Sequence, residues 1–341
     1  MEEPTVEILN ALFDALRAAI GPTCAAYALA ALGLNLQFGY AGLLNLGFVA
    51  SLAIGAYGLA ITVSLGGTMA VGILVGVLAS CVFSLIVALP TVRLRADYLA
   101  MTTLAAAEIL RLVLRSSVSK PLTGGVYGLQ KFANDFYATN PFVAGQYALG
   151  PVVLSGRTLW LMMVSWAMVA IAAVIVWSIV RSPWGRVLTG LREDEDLTRS
   201  LGKNAFLAKL QVMVVGGVFG ALAGIVLAID QQNVNPDNFM STVTFFLFAI
   251  VIIGGRGRVL TPVFGAMMFW LIISGTDSIL RALVDGATGP LAWFGQDQLG
   301  ATRNVLVGVA LILVIVFRPE GLLTFRARRR VQAAVPAEVV K

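Results

Sequence analysis

The stretch MAVGILVGVLASCVFSLIVAL, Met69 to Leu89, carries no charged residue over its 21 positions. As an α-helix it is about 31 Å long, which matches the roughly 30 Å hydrocarbon layer of a bilayer. Outward from it the pattern repeats. Apolar segments run from Ala18 to Phe38, Leu43 to Leu65, Tyr98 to Leu114, Leu159 to Val180, Phe206 to Ile229, Val243 to Ile253, Val259 to Leu280 and Val305 to Phe317. The set predicts an all-α, polytopic integral membrane protein of about eight to ten transmembrane helices, with residues 1–341 forming one transmembrane domain. The whole chain agrees: 58 % of its 341 residues are apolar and 12 % charged, against roughly 25 % charged in soluble domains. Disorder, a collagen-like chain and a disulfide scaffold are excluded. Cys24 and Cys81 both lie in apolar runs, and histidine is absent, which removes His-based acid–base catalysis, Ser/His triads and His-ligated metals.

Orientation follows from the basic residues. With the Arg-rich tail at 324–341 inside and the spans alternating backwards, sixteen of the 24 Lys and Arg fall inside, seven outside, and Arg111 within a span. The inside group includes Arg93, Arg95, Arg192, Arg199, Lys203, Lys209, Arg256 and Arg258; Arg115, Lys120, Lys131 and Arg157 fall outside. Nine spans put the N-terminus outside. Val6 to Ile20 carries Val6, Leu9, Leu12, Phe13 and Leu16 on one helical stripe, so it is either a further helix or one lying on the membrane surface. The acidic start Met1-Glu2-Glu3 predicts no cleavable signal peptide.

Two connections are long. The external loop, 117–156, holds the glycine-rich turn Gly124-Gly125-Val126-Tyr127-Gly128 and the aromatics Phe132, Phe136, Tyr137, Phe142 and Tyr147. These act as interfacial anchors or as a surface for an external partner. The cytoplasmic loop, 181–205, starts with Ser182-Pro183, an N-cap followed by proline at the first helical position, and Gly190 is expected to close that piece. A second helix is predicted with Glu193, Asp194, Glu195 and Asp196 at its start, Arg199 and Lys203 at its end, and Gly202 as the residue that terminates it. Leu197 and Leu201, four apart, give this helix one apolar stripe, which either faces solvent on a capped surface helix or docks on something.

The run Leu32-Gly33-Leu34-Asn35-Leu36-Gln37-Phe38-Gly39-Tyr40-Ala41-Gly42-Leu43-Leu44-Asn45-Leu46-Gly47, continued by Ile54-Gly55-Ala56-Tyr57, resembles the N-terminal signature of LivM-type permease subunits of branched-chain amino-acid ABC importers. Matching stretches come in the same order: Arg93 to Ala100 with Glu108 to Leu112, Leu122 to Gly125, Leu191 to Gly202, Gly254-Gly255 with Pro262 to Ala266, and Val316 to Leu322. Asn45, Phe48, Leu197 and Thr198 depart from the family's usual residues. The resemblance implies an ABC-importer permease fold in a bacterial cytoplasmic (inner) membrane, paired with a related LivH-like permease subunit and two cytoplasmic ATPase subunits. It also implies an external solute-binding protein that delivers an amino acid such as Leu, Ile or Val. ATP and Mg would sit on the ATPase subunits and no cofactor on this chain, which has no phosphate loop because Asn204 comes after Gly202-Lys203. No nucleic acid is expected. The helix at Glu193 to Leu201, with Gly202 at its end, would be the coupling helix to the ATPase.

Glycine-interrupted membrane segments mark pathways in secondary transporters, and by analogy Asn35, Gln37, Gly39, Tyr40, Gly42, Asn45 and Gly47, with Gly254 and Gly255, are candidates for the solute path. Close helix packing is the alternative role of the same glycines. Glu108 and Arg111 are spaced to pair on one helix, unless Glu108 is a proton site. Three function classes are therefore open: an ABC permease for branched-chain amino acids or, within the family, for urea, short amides or other amino acids; an ion-driven carrier using Glu108 or Asp97; and an intramembrane enzyme, disfavoured by the missing histidine and catalytic pair.

Overall fold

The computed structural model describes residues 13–142, 145–149 and 152–285, with 305, 308 and 309. The ninth predicted span, the closing Val316–Leu322 stretch, the basic tail and the N-terminal part of the amphipathic segment lie essentially outside these residues. Helix α1, Phe13–Ile20, meets α2, Pro22–Leu34, at a 46° bend that also takes in the π-helical turn after it, Asn35–Tyr40. Proline at the first position of α2 accounts for the new start. Then come α3 (Val49–Ser64), α4 (Met69–Thr91), α5 (Ala96–Arg115), α6 (Lys120–Thr123), α7 (Asn134–Ala138), α8 (Gly156–Arg181), α9 (Pro183–Glu193), α10 (Glu195–Ser200), α11 (Ala205–Gln231), α12 (Ser241–Gly254) and α13 (Thr261–Asp285).

Helix α4 shows how the sequence sorts its faces. Gly72, Gly76, Ser80, Ser84 and Ala88, every fourth residue, are buried, whereas Val71, Leu74, Leu78, Val82 and Ile86 are exposed. This is the membrane arrangement: small residues bring backbones together and large apolar ones meet lipid. A Cβ on Gly58 would strike the main chain at Gly76, and one on Gly224 would strike the carbonyl of Leu52, so α3, α4 and α11 pack backbone to backbone. Helices α2 and α11 form the centre and are buried along most of their length.

The spans expected from the sequence appear as helices within the described residues, but with differences in length and shape. Three of them, Met69–Thr91, Gly156–Arg181 and Ala205–Gln231, are long and apolar enough to cross unaided, and the bent pair α1–α2 makes a fourth. Helices α3 and α12, at 16 and 14 residues, are shorter. Residues Leu43 to Phe48, expected to be helical, are not: Gly42 turns the chain at φ +72°, and the next helix starts at Val49. Two short ribbons also depart from an all-helical chain. Strand β1 (Leu129–Gln130) pairs antiparallel with β4 (Asn233–Val234), and β2 (Gln146–Leu149) with β3 (Val152–Ser155). Residues 13–20 do not lie apart on a surface, since Ala15 and Ala19 are buried and Trp166 donates to the Ile20 carbonyl at 2.7 Å.

One end, the inner one by the arginine count, carries α9 and α10 with Arg95 and Arg192; β1, β4 and the Arg111–Asp237 contact mark the opposite, outer end. Several loop aromatics are anchored on protein. Tyr137 donates to the Ile229 carbonyl at 3.1 Å, Phe136 stacks on Trp160, and Arg157 lies over the Tyr137 ring.

Candidate functional site

The first broken segment is held by amides. Asn35, Gln37 and Asn45 are 0, 0 and 7 % exposed. Gln37 donates through Nε2 to the Met213 carbonyl of α11 at 3.0 Å and accepts through Oε1 from Asn45 Nδ2 at 3.0 Å. Asn45 Oδ1 accepts from Gly47 N at 3.1 Å. Asn35 spans to the turn after α12: its Nδ2 donates to the Arg258 carbonyl at 2.8 Å, and its Oδ1 accepts from Gly257 N at 3.2 Å. Amides placed within a membrane need partners, and each of these three finds them inside the protein. Leu43 N then bonds back to the Gln37 carbonyl at 2.8 Å, which lets the chain leave the π turn without a helix.

The glycines of the two segments allow close approach. A Cβ on Gly39 would meet the Asn35 amide, and one on Gly47 the Thr103 carbonyl. Gly254 ends α12 with the Thr261 carbonyl against it; Gly255 comes next at φ +105°, and its carbonyl accepts from the Thr261 hydroxyl. Tyr40 is buried at the end of the π turn. The structure thus brings the two glycine segments together through Asn35.

At the inner end α9 and α10 form a short hairpin. Ser182 caps α9 as its sequence predicts, accepting from Gly185 N, but Gly190 does not close it. The helix runs on to Glu193, because Asp194 is the residue that caps α10. Its Oδ1 accepts from Asp196 N at 2.9 Å and Leu197 N at 3.0 Å. Glu193 therefore belongs to the end of α9, where it pairs with Arg192 at 2.9 Å, and does not act on the N-terminus of α10. Gly202 takes φ +74°, the left-handed conformation expected past a helix end. Helix α9 buries Leu188 and Leu191 in the bundle, while α10 leaves Leu197 and Leu201 60 and 72 % exposed. Asp196 points to solvent, and Glu195 ties α10 to α11 through Lys209 at 2.6 Å and to Arg199 at 2.7 Å.

Sequence reading missed the contact that joins the broken segment to the hairpin. Arg192 Nη1 donates to the Gly39 carbonyl at 2.6 Å, so the hairpin rests on the break. A cavity of about 160 Å³ opens beside it, lined by Gly42, Arg95, Leu191, Arg192, Glu195 and Lys209 among others. At the outer end Arg111 pairs with Glu108 at 2.5 Å, as their spacing predicts, and also with Asp237 at 2.9 Å; Arg115 reaches the same Asp237 oxygen at 3.2 Å. Asp237 gave no sequence signal, since its partners Arg111 and Arg115 lie 126 and 122 residues away.

A family model described as "Branched-chain amino acid transport system / permease component" matches residues 20–315. The chain is 30 % identical over 315 residues to the high-affinity branched-chain amino acid transport system permease protein LivM of Escherichia coli K12, covering 87 % of this chain and 67 % of that one. It is 26 % identical over 338 residues to the probable branched-chain amino acid transport permease protein LivM of Methanocaldococcus jannaschii, covering 87 % and 90 %. Among solved structures, PsaBC from Streptococcus pneumoniae in complex with Fab aligns over 93 % of this chain and 97 % of that one, with a TM-score of 0.44 and 13 % identity.

Proposed function

We infer the function from one premise: the chain belongs to the family of permease components of branched-chain amino-acid transport systems. It is the membrane permease subunit of an ATP-driven importer for Leu, Ile and Val. Solute arrives from an external binding protein, a second, related permease subunit completes the path, and two cytoplasmic ATPase subunits supply the energy. The membrane is the bacterial cytoplasmic one. Within it, solute passes along the glycine-broken segments around Gly39–Gly47 and Gly254–Gly255.

The observation that carries the ATP-coupled part is the α9–α10 hairpin. One helix is locked into the bundle by Leu188 and Leu191, and the other presents Leu197 and Leu201 to a partner from a capped, ion-paired frame. A rigid element with an apolar tip is what transmission of a docking movement requires. Leu201→Asp places a charge where the ATPase would cover it, so a complex that inserts and folds should lose uptake almost entirely. Uptake of radiolabelled Leu, Ile, Val, other amino acids and urea by reconstituted complex, with and without this substitution, checks both coupling and solute. Full uptake by a normally assembled Leu201→Asp complex sinks the coupling assignment, and uptake of urea without Leu, Ile or Val sinks the solute class.

A further inference from the structure

Arg192 is the penultimate residue of α9, and its side chain is 33 % exposed at the inner end of the bundle. It lies against three glycines from two distant stretches of the chain, Gly39 and Gly42 in one and Gly257 in the other. Nη1 donates to the Gly39 carbonyl at 2.6 Å. A Cβ on Gly42 would come within 2.9 Å of Arg192 Cγ, and one on Gly257 within 3.2 Å of Nη1. The π turn ends here and Leu43 N bonds to Gln37, not to Gly39, so the Gly39 carbonyl is available to a side chain. A guanidinium bound to a main-chain carbonyl is among the stronger hydrogen bonds a protein makes, and it acts on the backbone itself.

We propose that Arg192 is a positioning residue for coupling: it carries displacement of the α9–α10 hairpin into the break at Gly39–Gly42, and so links movement at the ATPase contact to the inner end of the first broken span. The inference rests on the docking role of the hairpin under the proposed function. Two further features support it. Two further ties, Glu195 to Lys209 and Trp184 to Gln211, both end on α11, so the hairpin is held on two different elements and a tilt of it shifts one relative to the other. The cavity of about 160 Å³ bordered by Gly42, Arg192, Glu195 and Lys209 leaves room for that shift, where a close-packed contact would resist it. From the break, Asn35 and Gln37 carry the displacement on to the turn after α12 and to α11.

The test uses the full reconstituted complex with its ATPase subunits and loaded external binding protein, and it reads solute taken up per ATP hydrolysed. Arg192→Met keeps the length of the stem and removes the donors. The complex should assemble and hydrolyse ATP while uptake per ATP falls roughly tenfold, the weight of one charge-assisted hydrogen bond, and Arg192→Lys should restore part of the ratio. An unchanged ratio in Arg192→Met overturns the proposal. If that variant fails to assemble, Arg192→Gln is read in the same way; failure of both to assemble also overturns it, because Arg192 is then a packing residue. Leu201→Asp in parallel separates the two levels. A dead Leu201→Asp beside an unaffected Arg192→Met removes only the role of Arg192, whereas an active Leu201→Asp removes the docking role on which it depends.

Discussion

Gln37 is the keystone of the amide chain, and its replacement by leucine has a consequence that can be worked from the contacts. Leucine is close in volume and apolar, so packing around the site is nearly kept while two hydrogen bonds go. The first, to the Met213 carbonyl, is interhelical, and such bonds in membrane proteins contribute about 0.6 kcal/mol on average and about 1.7 at most. The second leaves Asn45 Nδ2 without its acceptor at a residue only 7 % exposed, where stranding a donor costs about 1–3 kcal/mol. The stranded amide therefore dominates, and Gln37→Leu should destabilise the purified protein by roughly 2–3 kcal/mol. Asn45→Ala frees the Gln37 oxygen and Gly47 N and should cost about 1–2 kcal/mol. In the double variant the Asn45 donor that Gln37→Leu would strand no longer exists. The two costs should then fall short of additivity by about 1 kcal/mol. Unfolding in mixed detergent titrations, monitored by tryptophan fluorescence, gives all four corners of the cycle. Strict additivity, or unmoved midpoints in both single variants, refutes the stapling argument. If the midpoints stay put and KM for uptake rises instead, these amides meet the solute.

Two further outcomes are expected. In a background without Cys24 and Cys81, a cysteine at the exposed Thr139 should react with an impermeant thiol reagent from outside, and one at the exposed Thr189 should not; the reverse pattern overturns the orientation drawn from the basic residues. Gly224→Ala drives a methyl group into the Leu52 carbonyl and should cost about 1–3 kcal/mol, whereas Gly275→Ala meets only Ala15 at 3.6 Å and should be neutral or gain up to about 1 kcal/mol; equal thermal shifts in the two would contradict the backbone packing of α11.

What the sequence makes legible is what depends on neighbours within a turn or on the solvent alone. The length of α4 and the division of its faces follow from hydrocarbon thickness and four-residue spacing, and both are plain in Gly72 to Ala88. Helix α10 is legible at its end through Gly202, but four consecutive acids give no local mark of which one is the cap. The choice falls to Asp194 because the chain there is extended, at φ −157° and ψ 115°, between the end of α9 and the start of α10. Leu43-Leu44-Asn45-Leu46 reads as helix for the same reason in reverse. Its apolar spacing is helical, yet Asn45 is drawn back to Gln37 and the chain turns at Gly42 out of the helix. The roles of Asp237, Lys209 and Arg192 have no local signal, since each gains meaning only from a partner on another element.

The two ends of the bundle are held by different kinds of bond, and this bears on where a permease of this construction can yield. At the outer end a backbone ladder joins Leu129 to Val234 and Gln130 to Asn233, and Arg111 and Arg115 converge on Asp237, so loops from distant parts of the chain are fixed to one another several times over. At the inner end the hydrogen bond between the hairpin and the broken segment comes from the side chain of Arg192, next to a cavity. Ladders break cooperatively, whereas a single charge-assisted side-chain bond can follow a moving helix without the rest of the bundle giving way. Arg192 is 33 % exposed, and Gly39 and Gly42 add no side chain of their own to the amide staple of Asn35, Gln37 and Asn45. On the coupling proposed above, a force applied at Leu197 and Leu201 is resolved first at the break, before it reaches the helices that Gly58, Gly76 and Gly224 lock backbone to backbone.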